Sequence, residues 1–174
     1  MRAKVQTRPA RTFWWDRELP TDELRAVIFN ADSVLAHVER ESDATARTDL
    51  IDSVMSLFVA GIWVSVVSAG PRMQVETMVR QLLGDGLVET IVTVDDLPQP
   101  DTGLVRTGEL YRLALWEMGI TARGALAVTG PVGADASAAA GLPAVVVDEL
   151  SAASCQQAHR RWWIQQTPSR AAFR

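Results

Sequence analysis

The chain has 174 residues, 48% apolar and 22% charged, with a net charge of −4 at neutral pH. That length suits one domain with a sizeable core, and the composition excludes a disordered or low-complexity chain. A lone cysteine, Cys155, excludes an internal disulfide, and with only His37 and His159 beside it an ordinary zinc site is not expected.

Strand and helix signals alternate along the chain from about residue 22. Residues 25–30 form a short apolar run typical of a buried strand, and residues 44–60 place Leu50, Val54, Leu57 and Phe58 at helical spacing. A second strand is expected over 62–68. Pro71 then stands near the start of a helix carrying Val75, Met78, Val79, Leu82 and Leu83 inward, ended by Gly84 and Gly86. The β-branched run 90–94 predicts a third strand, followed by a turn-rich stretch with Pro98, Pro100 and Gly103. A helix over about 108–118, closed by Gly119, precedes a fourth strand at 125–129. A small-residue helix at 133–140 and a fifth strand at 144–148 complete the series. Near-continuous apolar strands separated by helices predict an α/β fold, a doubly wound, Rossmann-like parallel sheet covered on both faces.

The flanks differ from this body. Residues 1–12 and 159–174 each carry +4 with no acid, which leaves −12 on residues 13–158. Four of the six tryptophans, Trp14, Trp15, Trp162 and Trp163, sit in these flanks. We therefore divide the chain into a basic arm (1–22), an α/β domain (23–150) and a basic C-terminal helix or tail (151–174). The tryptophans either pack the arms onto the domain or form a partner-binding patch, since Trp and Arg are favoured at interface centres. No apolar run reaches the roughly 18 residues of a membrane span. The basic N-terminus lacks a following apolar signal segment, so a cytoplasmic location is expected.

In doubly wound sheets ligands bind beyond the carboxyl ends of the strands. The residues to inspect are therefore 30–35 after the first strand and Ser68, Ala69 and Gly70 after the second. Asp95 and Asp96 follow the third, and Gly130 and, further on, Asp135 follow the fourth. Residues 26–35, Ala-Val-Ile-Phe-Asn-Ala-Asp-Ser-Val-Leu, resemble the first motif of the haloacid-dehalogenase superfamily, an apolar strand followed by Asp-x-Asp-Gly-Thr/Val-Leu. Residues 66–70 resemble its second motif, residues 90–96 and 109–119 the region of its third, and 125–130 with 138–147 its fourth. The likeness covers roughly residues 24–150.

The resemblance implies an aspartate nucleophile that forms an aspartyl-phosphate and a second aspartate as acid and base. It also implies a Ser or Thr and a Lys on the phosphoryl oxygens, and acids that hold Mg²⁺. Carried onto this chain, Asn30 takes the nucleophile position, Asp32 the acid/base position, and Ser68 the phosphate-contact position. Ser33 replaces the glycine that follows. The lysine position falls on Val105, beside Arg106, a possible substitute of different geometry; Lys4 is the only lysine in the chain. Gly130 stands where the first acid of the fourth motif belongs, and Asp135 is a weak candidate for the second, a metal ligand. Each retained polar residue also has a plain structural use as a turn or helix cap.

The resemblance thus implies a superfamily domain that lacks the classical phosphatase groups, needs no cofactor, and acts as a binding or regulatory module. Its partner would be a protein or a second copy, met through the Trp/Arg-rich ends. The alternatives are a divergent Mg²⁺-dependent phosphatase or hydrolase, and binding of the arms to nucleic acid or an anionic surface. Between the first two motifs there is space for one helix and a polar linker containing His37, Glu39, Arg40, Glu41 and Asp43, so a cap domain is absent or minimal.

Overall fold

All five expected strands form, and all run parallel. In this computed structural model the described residues are 23–41, 44–98, 107–130, 133–146 and 150–166. The strands are β1 (Ala26–Asn30), β2 (Trp63–Ser68), β3 (Thr90–Thr93), β4 (Ala125–Thr129) and β5 (Ala144–Val146), in the spatial order β3-β2-β1-β4-β5. The helices are α1 (Ala36–Arg40), α2 (Ala44–Val59), α3 (Arg72–Leu83), α4 (Thr107–Met118), α5 (Ala134–Ala139) and α6 (Ala152–Gln166). β1 lies at the centre, with Ala26 opposite Trp63 on one side and Ala125 on the other.

The run of buried residues in β1 follows from that position, because both faces of a central parallel strand are covered. Side-chain alternation then sorts the core into two layers. Val27 and Phe29 join Leu50, Val54 and Leu57 of α2, Val75, Val79 and Leu82 of α3, and Cys155 of α6. Ala26 and Ile28 turn to the opposite face, against Leu110, Tyr111, Ala114 and Leu115 of α4. Burial pushes the Cys155 thiol up to about 11, so its reactive thiolate form is suppressed.

One local feature departs from the sequence reading. The expected polar linker is helical as far as Arg40: β1 runs into a π-helical turn (Ala31–Leu35) that continues directly into α1. Leu35 and Val34 of that turn are buried and anchor it, which explains how the polar residues after it are held in a helix. Between β1 and β2 the chain therefore builds two helices and no separate cap domain.

The start of α3 is tied to the end of β3 through one residue. The Arg72 guanidinium donates to Glu76 Oε1 at 3.0 Å, to the Ile91 carbonyl at 3.0 Å and to Asp96. Its backbone N–H donates to Asp95 Oδ2 at 2.8 Å, and Asp96 also accepts from Thr93 N at 2.8 Å. The Glu76 hydrogen bond leads the effects that raise the Arg72 pKa, partly opposed by desolvation, so the cation persists throughout the accessible pH range. Because Arg72 keeps 37% of its side chain exposed, solvent screens these pairs. We expect Arg72→Met to cost about 1 kcal/mol. Urea unfolding at low and high salt checks this: a cost near zero at both would remove Arg72 from the stabilising set.

Candidate functional site

The carboxyl ends of β1, β2 and β4 bring together Asn30, Asp32, Ser33, Ser68, Thr129 and Gly130. Asn30 is buried, and its Oδ1 accepts from Asp32 N at 3.0 Å and Ser33 N at 3.3 Å. It therefore caps the π-helical turn, filling amide bonds that the first turn of a helix leaves open. Its Nδ2 donates to Tyr111 Oη at 3.4 Å. Burial raises the pKa of that phenol, and the Asn30 hydrogen bond partly offsets the rise. Asn30 is thus a neutral amide committed to three contacts.

Asp32 points across to β2. Its Oδ1 accepts from Ser68 Oγ at 2.6 Å, and its Oδ2 accepts from Ala69 N at 2.8 Å. Ser68 Oγ in turn accepts from Gly70 N at 3.0 Å, which orients the hydroxyl proton toward Asp32. A hydroxyl and a backbone amide arranged in this way form a small anion cradle, and the carboxylate of Asp32 is the anion seated in it.

The other half of the cleft is closed by Ser33. Its Oγ accepts from Gly130 N at 2.9 Å and lies 3.4 Å from Thr129 Oγ1. A Cβ built on Gly130 would meet Ser33 Cβ at 3.0 Å, and one on Gly133 would lie 3.0 Å from Thr129 Cβ. Ser33 therefore stands tight against the place of a side chain at 130 and would have to give by a few tenths of an ångström to admit one.

The donor set does not fit a divalent cation. Hard cations take about six oxygen ligands, carboxylates foremost. Here Asn30 Oδ1 accepts two backbone N–H groups, both Asp32 oxygens are hydrogen-bonded, and Gly130 has no side chain. Asp135 is exposed in the first turn of α5. Among the described residues no cluster of three or more His, Cys, Asp or Glu could hold a metal.

The remaining candidates lie elsewhere. Arg106, Trp14 and Trp15 fall outside the described residues. Trp162 and Trp163 are half-buried on α6, edge to face with ring centroids 4.6 Å apart. The Arg123 guanidinium stands 5.1 Å from the Trp163 ring, and the fully buried His159 sets Nε2 2.6 Å from the Arg123 carbonyl. Arg123 precedes β4, so this cluster is at the amino ends of the strands, opposite the cleft. The sequence reading had no signal for Tyr111 and Thr129 as members of the cleft. The nearest hint is Thr129, the polar residue that ends an otherwise apolar strand.

This geometry defines a doubly wound α/β domain whose polar cluster gathers at the carboxyl ends of its three central strands. No family model and no curated protein matches the chain. Solved structures do. β-Phosphoglucomutase of Clostridium difficile matches with a TM-score of 0.60 at 12% identity, over 81% of this chain and 99% of that one. A haloacid dehalogenase-like hydrolase of Bacteroides fragilis matches with a TM-score of 0.53 at 16% identity, over 78% and 93% of the two chains. CbbY of Rhodobacter sphaeroides, solved with phosphate, matches with a TM-score of 0.52 at 15% identity, over 73% and 87%. The fold of this chain is haloacid-dehalogenase-like. No helix among the described residues is long and apolar enough to cross a membrane.

Proposed function

We propose that this domain lacks the phosphatase turnover that its motif resemblance implies and works as a binding or regulatory module in the cytoplasm. The observation that carries this reading is the seating of the Asp32 carboxylate on Ser68 Oγ and Ala69 N. A phosphoryl group would have to displace that anion, and it would find an amide at Asn30 and no acid at Gly130. Loss of the nucleophile alone costs on the order of 10⁴ in rate. Partner binding is assigned to the other end of the sheet, where Trp162 and Trp163 meet Arg123 and where Ile164 is 74% exposed on the same helix. Large aromatics beside arginine, with an apolar neighbour in solvent, suit a protein partner or a second copy.

Turnover of a generic aryl phosphate, with and without Mg²⁺, tests this in the unaltered chain and in Asn30→Asp. Both are expected to stay at the background rate. Mg²⁺-dependent hydrolysis in the unaltered chain, abolished by Asp32→Ala, would replace this reading with that of a divergent hydrolase.

A further inference from the structure

A cavity of about 690 Å³ opens at the amino ends of the strands, away from the polar cluster just described. Its walls come from the segments that lead into β1, β2, β3 and β4, with Phe58, Ile62, Trp63 and Ile120 as apolar lining. Phe58 is 54% exposed, although it closes a helix whose inward residues are fully packed. Glu23, Arg25 and Glu89 are its charged lining residues. A cavity of this volume lies within the range of ligand sites, roughly 300–1,000 Å³, and would take bulky aromatic side chains.

Glu23, which lines this groove, is also the residue at which the basic arm joins the domain. Phe13, Trp14 and Trp15 lie eight to ten residues upstream of it. Eight residues span about 27 Å when extended and about 12 Å when helical. Either way the aromatic triplet reaches a groove that begins at its own attachment point. Tethering also raises the local concentration of the triplet to roughly the millimolar range, an advantage that no free partner shares. Charge favours the same match: the +4 segment just before the triplet would meet residues 23–158, which carry −10, with Glu23 and Glu89 against Arg25 in the groove lining. From these features we propose that the N-terminal arm docks Phe13-Trp14-Trp15 into the groove between Phe58, Trp63 and Ile120, so that it covers that groove. The docking is independent of whether the opposite cleft turns over phosphate.

Disulfide trapping in the full chain tests this without relying on the stability of any variant. The only native cysteine, Cys155, is buried and does not interfere. Asp16→Cys leaves the aromatic triplet intact, and Ala60→Cys places a thiol on the groove wall. Met73→Cys, 81% exposed at the start of α3, serves as the control at the other end of the sheet. A disulfide requires Cα atoms within about 7 Å. Under mild oxidation the Asp16→Cys/Ala60→Cys protein is expected to close an intramolecular bond roughly tenfold faster than the Asp16→Cys/Met73→Cys protein. Adding Trp14→Ala and Trp15→Ala should slow closure onto Ala60→Cys severalfold and leave closure onto Met73→Cys unchanged, since the tether alone already lies nearer Ala60. A rate onto Ala60→Cys that does not depend on the tryptophans would overturn the proposal. So would a product that is a cross-linked dimer forming faster at higher protein concentration, since the occupant would then be the arm of a second copy.

Discussion

A Gly130→Asp variant is expected to lose about 2–3 kcal/mol of stability in urea unfolding and to gain no affinity for Mg²⁺. The new Cβ would meet Ser33 Cβ at 3.0 Å, closer than side chains normally approach, and the contact is between stiff atoms next to the backbone. Relief requires the turn carrying Ser33 to shift, yet Asn30 holds that turn through Asp32 N and Ser33 N. Combining Gly130→Asp with Ser33→Gly removes the obstructing atom and is expected to recover more than half of the loss. Adding Asn30→Asp then sets two carboxylates where the present chain has none. This triple variant, unlike its parent, should be stabilised by saturating Mg²⁺, by about 2.7 kcal/mol at a hundredfold excess over the dissociation constant. Calorimetric titration and thermal melts with and without Mg²⁺ check both halves. A stable Gly130→Asp protein that binds Mg²⁺ by itself would show that Ser33 does not block the position.

The larger loss is expected from Phe29→Ala, about 3–5 kcal/mol, which for a chain of this size lowers Tm by roughly 6–20 °C. Phe29 is 1% exposed on the central strand and packs in the layer formed by α2, α3 and α6. Its neighbours in that layer belong to different elements, each tied to the sheet by its own contacts, so they cannot close together over the vacated ring. Domains are stable by only about 5–15 kcal/mol, so this variant approaches the limit of folding at physiological temperature. Met73→Ser, at an exposed apolar position, is expected to stay within about 0.5 kcal/mol of the parent and calibrates the measurement. Parity between the two would mean that the layer around Phe29 is not the main core.

The fold was legible because its cause is local. Apolar runs such as 26–29 and 125–128 can satisfy their burial only inside a sheet, and glycines such as Gly84 and Gly119, both at positive φ, end helices where the sequence reading placed the stops. The short helix α1 was not legible. His37, Glu39 and Arg40 have no apolar stripe, and they are helical because the turn before them is, a cause that lies upstream. Within the cleft, the altered residue types at 30 and 130 could be read directly against the motif pattern. Their consequences could not. That Ser33 stands tight against the place of a side chain at 130 depends on a contact between residues 97 apart in the chain. That Asp32 turns onto Ser68 depends on the alignment of β1 against β2, where Asn30 faces Val67.

The separation of the two ends of the sheet limits how they communicate. β1 is five residues long, so the cleft at its carboxyl end and the groove at its amino end are about 16 Å apart. A unit charge at that distance acts on Asp32 by about 0.3 kcal/mol through water and about 1 kcal/mol at the effective dielectric of a protein, and salt reduces both. Attaching a segment of four such charges at the groove is therefore felt at Asp32 at low ionic strength and largely screened at physiological salt. Under those conditions a signal between the ends is carried mainly by displacement of the parallel strands, and a central strand hydrogen-bonded on both sides is the element least free to move. The domain is built as two ends held apart by a stiff spacer.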